Sequence, residues 1–325
     1  MLPPFQSEAR SLCERQLAFW FMFFLLFLKI LPLYVLILLG IIAGKKLNVK
    51  KESVASLLIY IILPIVVFNS IVATKINCQL LFLPIIFFIC CSSLCLLFYA
   101  LGKRLFKDNT KNILAFTAGT ANTGYFGIPV AVELFGEKSL GIIVLCILGF
   151  TFFENSLGFF ITAKGNHSAK EAIMKLIKLP TIYAFILGLI ANHFGFSPGE
   201  NYTSLTKHFL GAYTTLGMML IGLGLADMKS FKLDLKFLVT AIFAKFIAWP
   251  LLISFIVFID NNYFKIFDNS VHNIMLLLSI VPLAANTVAF ATELKVQPEK
   301  AALAVFISTL IALVYIPLLT IIFIK

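Results

Sequence analysis

The chain has 325 residues, of which 61% are hydrophobic and 13% charged, and its mean hydropathy is +1.01. That balance excludes a soluble globular domain, and the long continuous apolar runs exclude the short alternating strands of a β-barrel. The net charge of +11, from 26 Lys and Arg against 15 Asp and Glu, fits basic cytoplasmic loops in so apolar a chain, and no nucleic-acid partner is expected.

A helix crosses the hydrocarbon core with about 20 apolar residues, so the apolar content supplies roughly ten crossings. In chain order, apolar runs between polar breaks predict spans at 29–44, 53–73, 79–101, 112–134, 139–162, 179–196, 206–226, 237–259, 272–293 and 301–324. Ahead of them lies a leader, 1–28, apolar from Leu17 to Leu28. It reads as a signal sequence, an extra helix or a translation artefact, with Met22 an alternative start. Residues 29–163 then form a first five-helix unit, 164–178 a cytoplasmic linker and 179–325 a second unit. The six cysteines sit mostly in apolar runs without metal-ligand spacing, as small buried hydrophobes do.

Charge orients the spans. The loops at 45–51, 103–111, 164–178, 229–236 and 295–300 carry 17 basic residues, whereas the opposite side has six, at Lys29, Lys75, Lys138, Lys207, Lys265 and Lys325. The positive-inside rule places the first set in the cytoplasm and both termini outside, in a multi-pass protein of the plasma (inner) membrane.

The two units resemble each other. Leu31-Pro32, Gly40, Ile42 and Ala43 in span one match Leu179-Pro180, Gly188, Ile190 and Ala191 around span six at one constant offset. Span four contains Ala121-Asn122-Thr123 and Phe126, and span nine contains Ala285-Asn286-Thr287 and Phe290. Five crossings reverse the side from which the second unit starts, so the repeat is inverted. The expected fold is therefore all-α and integral to the membrane: ten transmembrane helices as two inverted five-helix repeats.

Helices four and nine are also the poorest continuous helices. Gly119, Gly124, Gly127 and Pro129 interrupt one, and Pro282 interrupts the other. Unwound backbone at membrane depth is tolerated where protein or a water-filled cavity receives its polar groups. Two such breaks in equivalent places predict a central site. There, half-helix N-termini offer partial positive charge, and Asn122, Thr123, Asn286 and Thr287 offer neutral hydrogen-bonding groups. Close helix crossing on small residues is the alternative use of the same sequence.

The string Asn122-x-Gly124-x-x-Gly127-x-Pro129, continued by Leu134-Phe135-Gly136, resembles the fourth helix of the auxin efflux carrier family, which includes plant PIN carriers and bacterial organic-acid permeases. Segments 245–250, 282–291 and 301–317 look like its later segments. The resemblance implies external termini, a scaffold part and a transport part, and broken helices four and nine crossing beside the substrate. It also implies an elevator-like or rocking exchange of access. Carried onto this chain, the crossover residues are Asn122, Gly124, Gly127, Pro129, Pro282, Asn286 and Thr287. The long cytoplasmic loop of many plant members is absent.

Two charges lie near the middle of predicted spans, Glu154 in span five and Lys245 in span eight, whereas Glu133 and Glu293 sit near span ends. A central charge costs about 2.5 to 3.5 kcal/mol on insertion scales, so each needs a role: mutual pairing, lining a cavity or titrating during transport. The expected function is a secondary transporter of a small organic anion, a mono- or dicarboxylate or auxin-like acid, working by alternating access. No cofactor is expected; a proton or a sodium ion is the candidate coupling ion. The lipid bilayer and the organic acid are the partners, and a homodimer stays open. A receptor-like or lipid-binding protein using the same crossover is the alternative. No HExxH, GxSxG, paired-aspartate cluster or Walker string occurs, which argues against an enzyme and against direct drive by ATP.

Overall fold

The computed structural model describes residues 4–163, 174, 177–196, 199–226 and 233–323, and among these every regular element is helical. Most of the linker expected at 164–178 lies outside the described residues. Among the described residues seven helices are long and apolar enough to cross a membrane: Phe19–Leu47, Lys51–Ala73, Leu80–Leu105, Glu137–Thr162, Tyr202–Ala226, Leu235–Phe264 and Pro298–Ile322. Pro180–His193 and Asn269–Ile280 are shorter apolar helices.

The first helix, α1 (Pro4–Leu47), runs through Lys29 and Pro32 without a break. Proline inside a helix forfeits one hydrogen bond, and the turn around Pro32 absorbs that loss. Helix α2 (Lys51–Ala73) follows, with a π turn at Leu58–Ile62, then α3 (Leu80–Leu105). Next come α4 (Thr110–Gly119) and α5 (Ile128–Phe135), the latter preceded by a π turn at Thr123–Gly127. Helix α6 (Glu137–Thr162) carries a π turn at Glu154–Gly158.

In the second half, α7 (Pro180–His193) and α8 (Glu200–Ala226) precede α9 (Leu235–Phe264), which has π turns at Ala244–Ala248 and Asp260–Phe264. Then come α10 (Asn269–Ile280), α11 (Asn286–Glu293) and α12 (Pro298–Phe323).

Helix α1 packs along α8, α2 against α7, α3 against α4 and α6, and α11 against α12. The α1–α8 crossing depends on glycine from both sides. A Cβ on Gly40 would fall 2.1 Å from the Met219 carbonyl oxygen, and one on Gly222 would fall 2.0 Å from that of Ile37. Backbones approach this closely in membranes because dispersion contact replaces the hydrophobic drive that lipid removes. At one end of the bundle, Lys300 Nζ lies 2.8 Å from Asp234 Oδ2 and donates to Thr110 Oγ1 at 2.9 Å, joining the first turns of α12, α9 and α4.

Candidate crossover site

Both predicted interruptions are present as breaks in the helices. Residues 120–122 separate α4 from the π turn that leads into α5, and residues 281–285 separate α10 from α11. The breaks touch: the Asn122 backbone N–H donates to the Pro282 carbonyl at 2.9 Å.

Backbone groups freed by the breaks find partners, as membrane depth demands. Trp249 Nε1 donates to the Ala118 carbonyl at 2.8 Å, at the end of α4. Lys245 Nζ donates to the Leu278 carbonyl at 3.2 Å, at the end of α10, and sits 4.9 Å from the centre of the Trp249 ring. One stretch of α9 thus holds the C-terminal ends of both half-helices, where partial negative charge gathers. The Leu283 N–H donates to Ser308 Oγ at 3.1 Å, and the Gly127 N–H to the Asn122 carbonyl at 2.9 Å.

Glu154 ties the two halves together. Its Oε1 accepts from Thr120 Oγ1 in the first break, and its Oε2 accepts from Asn286 Nδ2 at the start of α11, at 3.0 Å. Glu154 is buried, and Lys245 is completely so. They do not pair: Glu154 faces the neutral donors of the breaks, while Lys245 serves a carbonyl and an aromatic face. The mutual-pair reading of the two charges is thereby corrected. Each charge has its own local partners.

A cavity of about 460 Å³ opens beside the breaks and reaches the exposed Lys178. Of the expected site residues, Asn122, Thr123, Gly124, Asn286 and Glu154 line it, whereas Gly127, Pro129, Pro282, Thr287 and Lys245 do not. The second group shapes the first: Pro282 receives the Asn122 N–H, and Pro129 occupies the first turn of α5. Two polar atoms here are buried without a hydrogen-bond partner, Asn122 Nδ2 and Thr287 Oγ1. Leaving such buried groups unpaired is costly.

Several residues of this arrangement escaped sequence reasoning. Thr120 lies in the same string as Asn122 but makes its contact with a distant glutamate. Tyr125 and Tyr213 form the aromatic wall, with ring centres 6.0 Å apart, and a Cβ on Gly124 would fall 2.8 Å from the Tyr213 hydroxyl. Trp249 had a sequence signal only in its place beside Pro250, four residues after Lys245.

Known proteins bear out the family resemblance. The model of the family described as membrane transport protein matches residues 25–171 and 166–320. An uncharacterized transporter of Methanocaldococcus jannaschii is 30% identical over 302 residues, 89% of this chain and 96% of that protein. An uncharacterized transporter of Methanothermobacter thermautotrophicus is 26% identical over 298 residues, 89% of this chain and 95% of its own length. With its apolar helices, broken crossing segments and these two relatives, the chain belongs to the membrane transport protein family, the auxin efflux carriers, and is a multi-pass membrane protein.

Proposed function

We propose that this protein is a secondary transporter of a small organic anion, working by alternating access at the contact between the two helix breaks. The observation that carries the reading is the cavity there, where the first turns of α11 and of the segment leading into α5 flank the unpartnered amide of Asn122. Partial positive charge from two helix starts suits a carboxylate. The apolar wall, with Leu63, Val67, Ile147 and Phe150, suits a carbon skeleton.

In this reading the chain comprises ten spans in two inverted repeats, with the interrupted α4–α5 and α10–α11 as spans four and nine. Both termini lie outside the plasma membrane. Glu154 sets the coupling. An ionised carboxylate about 5 Å from a bound anion opposes it by about 3 kcal/mol at an effective dielectric of about 20. A proton or a sodium ion travelling with the substrate removes that cost.

Counterflow of labelled organic acids in proteoliposomes, under imposed proton and sodium gradients, is the test. The wild type exchanges at least one mono- or dicarboxylate. Asn122→Ala and Asn286→Ala lower the rate at least a hundredfold while the protein remains folded and monodisperse. Wild-type exchange by both variants would remove the site from the assignment, and saturable binding without exchange would favour a sensor.

A further inference from the structure

A second pocket, of about 410 Å³, is lined by Asn69, Lys75, Lys138, Tyr202 and Lys207 among others, and no step of the proposed transport uses it so far. Three lysines converge there against one acidic side chain, Glu137. None of the three has a carboxylate within 4.0 Å among the described residues. These are half of the basic residues that the chain carries on its sparsely charged side. Asn69 accepts from the Tyr202 hydroxyl at 2.6 Å through Oδ1, while its Nδ2 is buried without a partner. The pocket therefore offers positive charge, while the Asn69 Nδ2 donor is buried behind its wall.

Its position gives the chemistry a purpose. Three helices line the pocket and the crossover cavity in succession. On α2, Asn69 and Ser70 face the pocket and Leu63 and Val67 the cavity; on α6 it is Leu140 and then Val144; on α8 it is Leu210 and then Tyr213. On α6 and α8 four and three residues separate the two spaces, about one helical turn or roughly 5 Å, and on α2 the adjacent Val66 and Val67 line one each. The partition is made of buried Val66, Val67, Val144 and Tyr213. The start of α6 packs tightly on the residue that follows α2: a Cβ on Gly141 would fall 1.6 Å from Thr74 Oγ1. The crossover cavity reaches Lys178 on its other side, so the pocket sits at the closed end of the same path.

We propose that this lysine pocket is an anion-binding site on the far face of the transporter, where the carboxylate substrate docks before entering or after leaving the crossover. The identity of the anion rests on the transport reading above. Lys138 lies in the first turn of α6, Lys75 just beyond α2 and Lys207 in α8, so a bound anion bridges three helices.

The test has two readouts, both in phosphatidylcholine vesicles so that no anionic headgroup competes. In the first, a membrane-impermeant acylating reagent modifies lysines from the pocket face, with benzoate or malate present. The acid slows modification of Lys75, Lys138 and Lys207 several-fold and leaves Lys265 unchanged. In the second, half-saturating concentrations for exchange are measured from each face in vesicles of opposite sidedness. Replacing the three lysines together by Gln raises the value on the pocket face by about tenfold, the combined effect of three charges at about 8 Å in a water-like medium. The value on the Lys178 face does not move, and replacement by Arg restores the wild-type value.

Protection without exchange upholds the pocket and removes the transport reading. Exchange by the wild type without protection, and with equal half-saturation in the Gln variant, overturns the pocket alone. Protection that comes only from added phosphatidylglycerol overturns it in favour of a lipid site.

Discussion

Glu154 shows what a single side chain can decide. It accepts one hydrogen bond from each break, through Thr120 and Asn286, so its charge state is linked to the contact between the halves. Protonation turns an acceptor-only carboxylate into a group with one donor, which the Thr120 hydroxyl can accept while Asn286 still donates to the other oxygen, so the pattern of bonds changes with charge. Glu154→Gln reproduces the neutral form permanently. In the transport reading this variant exchanges anions at a rate independent of the proton gradient, measured as counterflow with the external pH varied between about 5 and 8. An unchanged pH profile would reduce Glu154 to a strut between the breaks. The sequence disclosed that a charge lay at membrane depth, because a glutamate amid phenylalanines demands an account. It did not disclose the partner, since Asn286 and Thr120 reach Glu154 only after the chain has folded on itself.

At the scale of helices, the breaks were legible and their supports were not. Glycine and proline inside an apolar run forecast interruption by local chemistry alone. The donors that receive the freed carbonyls come from α9, more than a hundred residues from Ala118 in one case. The π turns likewise had no sequence signal. Their extra residue re-aims side chains, and here the turns at Glu154–Gly158 and Ala244–Ala248 begin with or include the two membrane-embedded charges. Trp249 is the clearest support, fully buried, stacked on Phe150 with ring centres 5.3 Å apart, and bonded to the Ala118 carbonyl. Trp249→Phe keeps most of the ring and removes the donor. Leaving that carbonyl unpaired costs about 1 to 3 kcal/mol, so the variant melts at a lower temperature in detergent by fluorescence-detected size exclusion. Retention of the wild-type melting temperature would mean that the Ala118 carbonyl has found another donor.

For the whole molecule, the uneven distribution of lysine is the feature most plainly written in the sequence. Loop charge responds to the insertion machinery during synthesis and needs no tertiary contact, which is why it can be read without a structure. The arrangement of helices around the crossover is different in kind, since it follows from close approaches such as Gly40 against Met219 and Gly222 against Ile37, whose partners no local pattern reveals.

The orientation can be tested with the protein's own cysteines. Cys78 is exposed in the connection between α2 and α3, while Cys90, Cys91, Cys95 and Cys146 are buried. In the proposed orientation Cys78 faces outward, so a membrane-impermeant maleimide labels it in intact cells. With Cys13 and Cys78 replaced by Ser, Lys107→Cys, at an exposed site between α3 and α4, labels only after the cells are made permeable. The two sites flank α3, a helix long and apolar enough to cross a membrane, and in the proposed topology they report opposite sides whichever way the protein is inserted. Labelling of Lys107→Cys in intact cells, with Cys78 protected until permeabilisation, would invert the orientation. It would then place the lysine pocket in the cytoplasm and the Lys178 end of the crossover cavity outside.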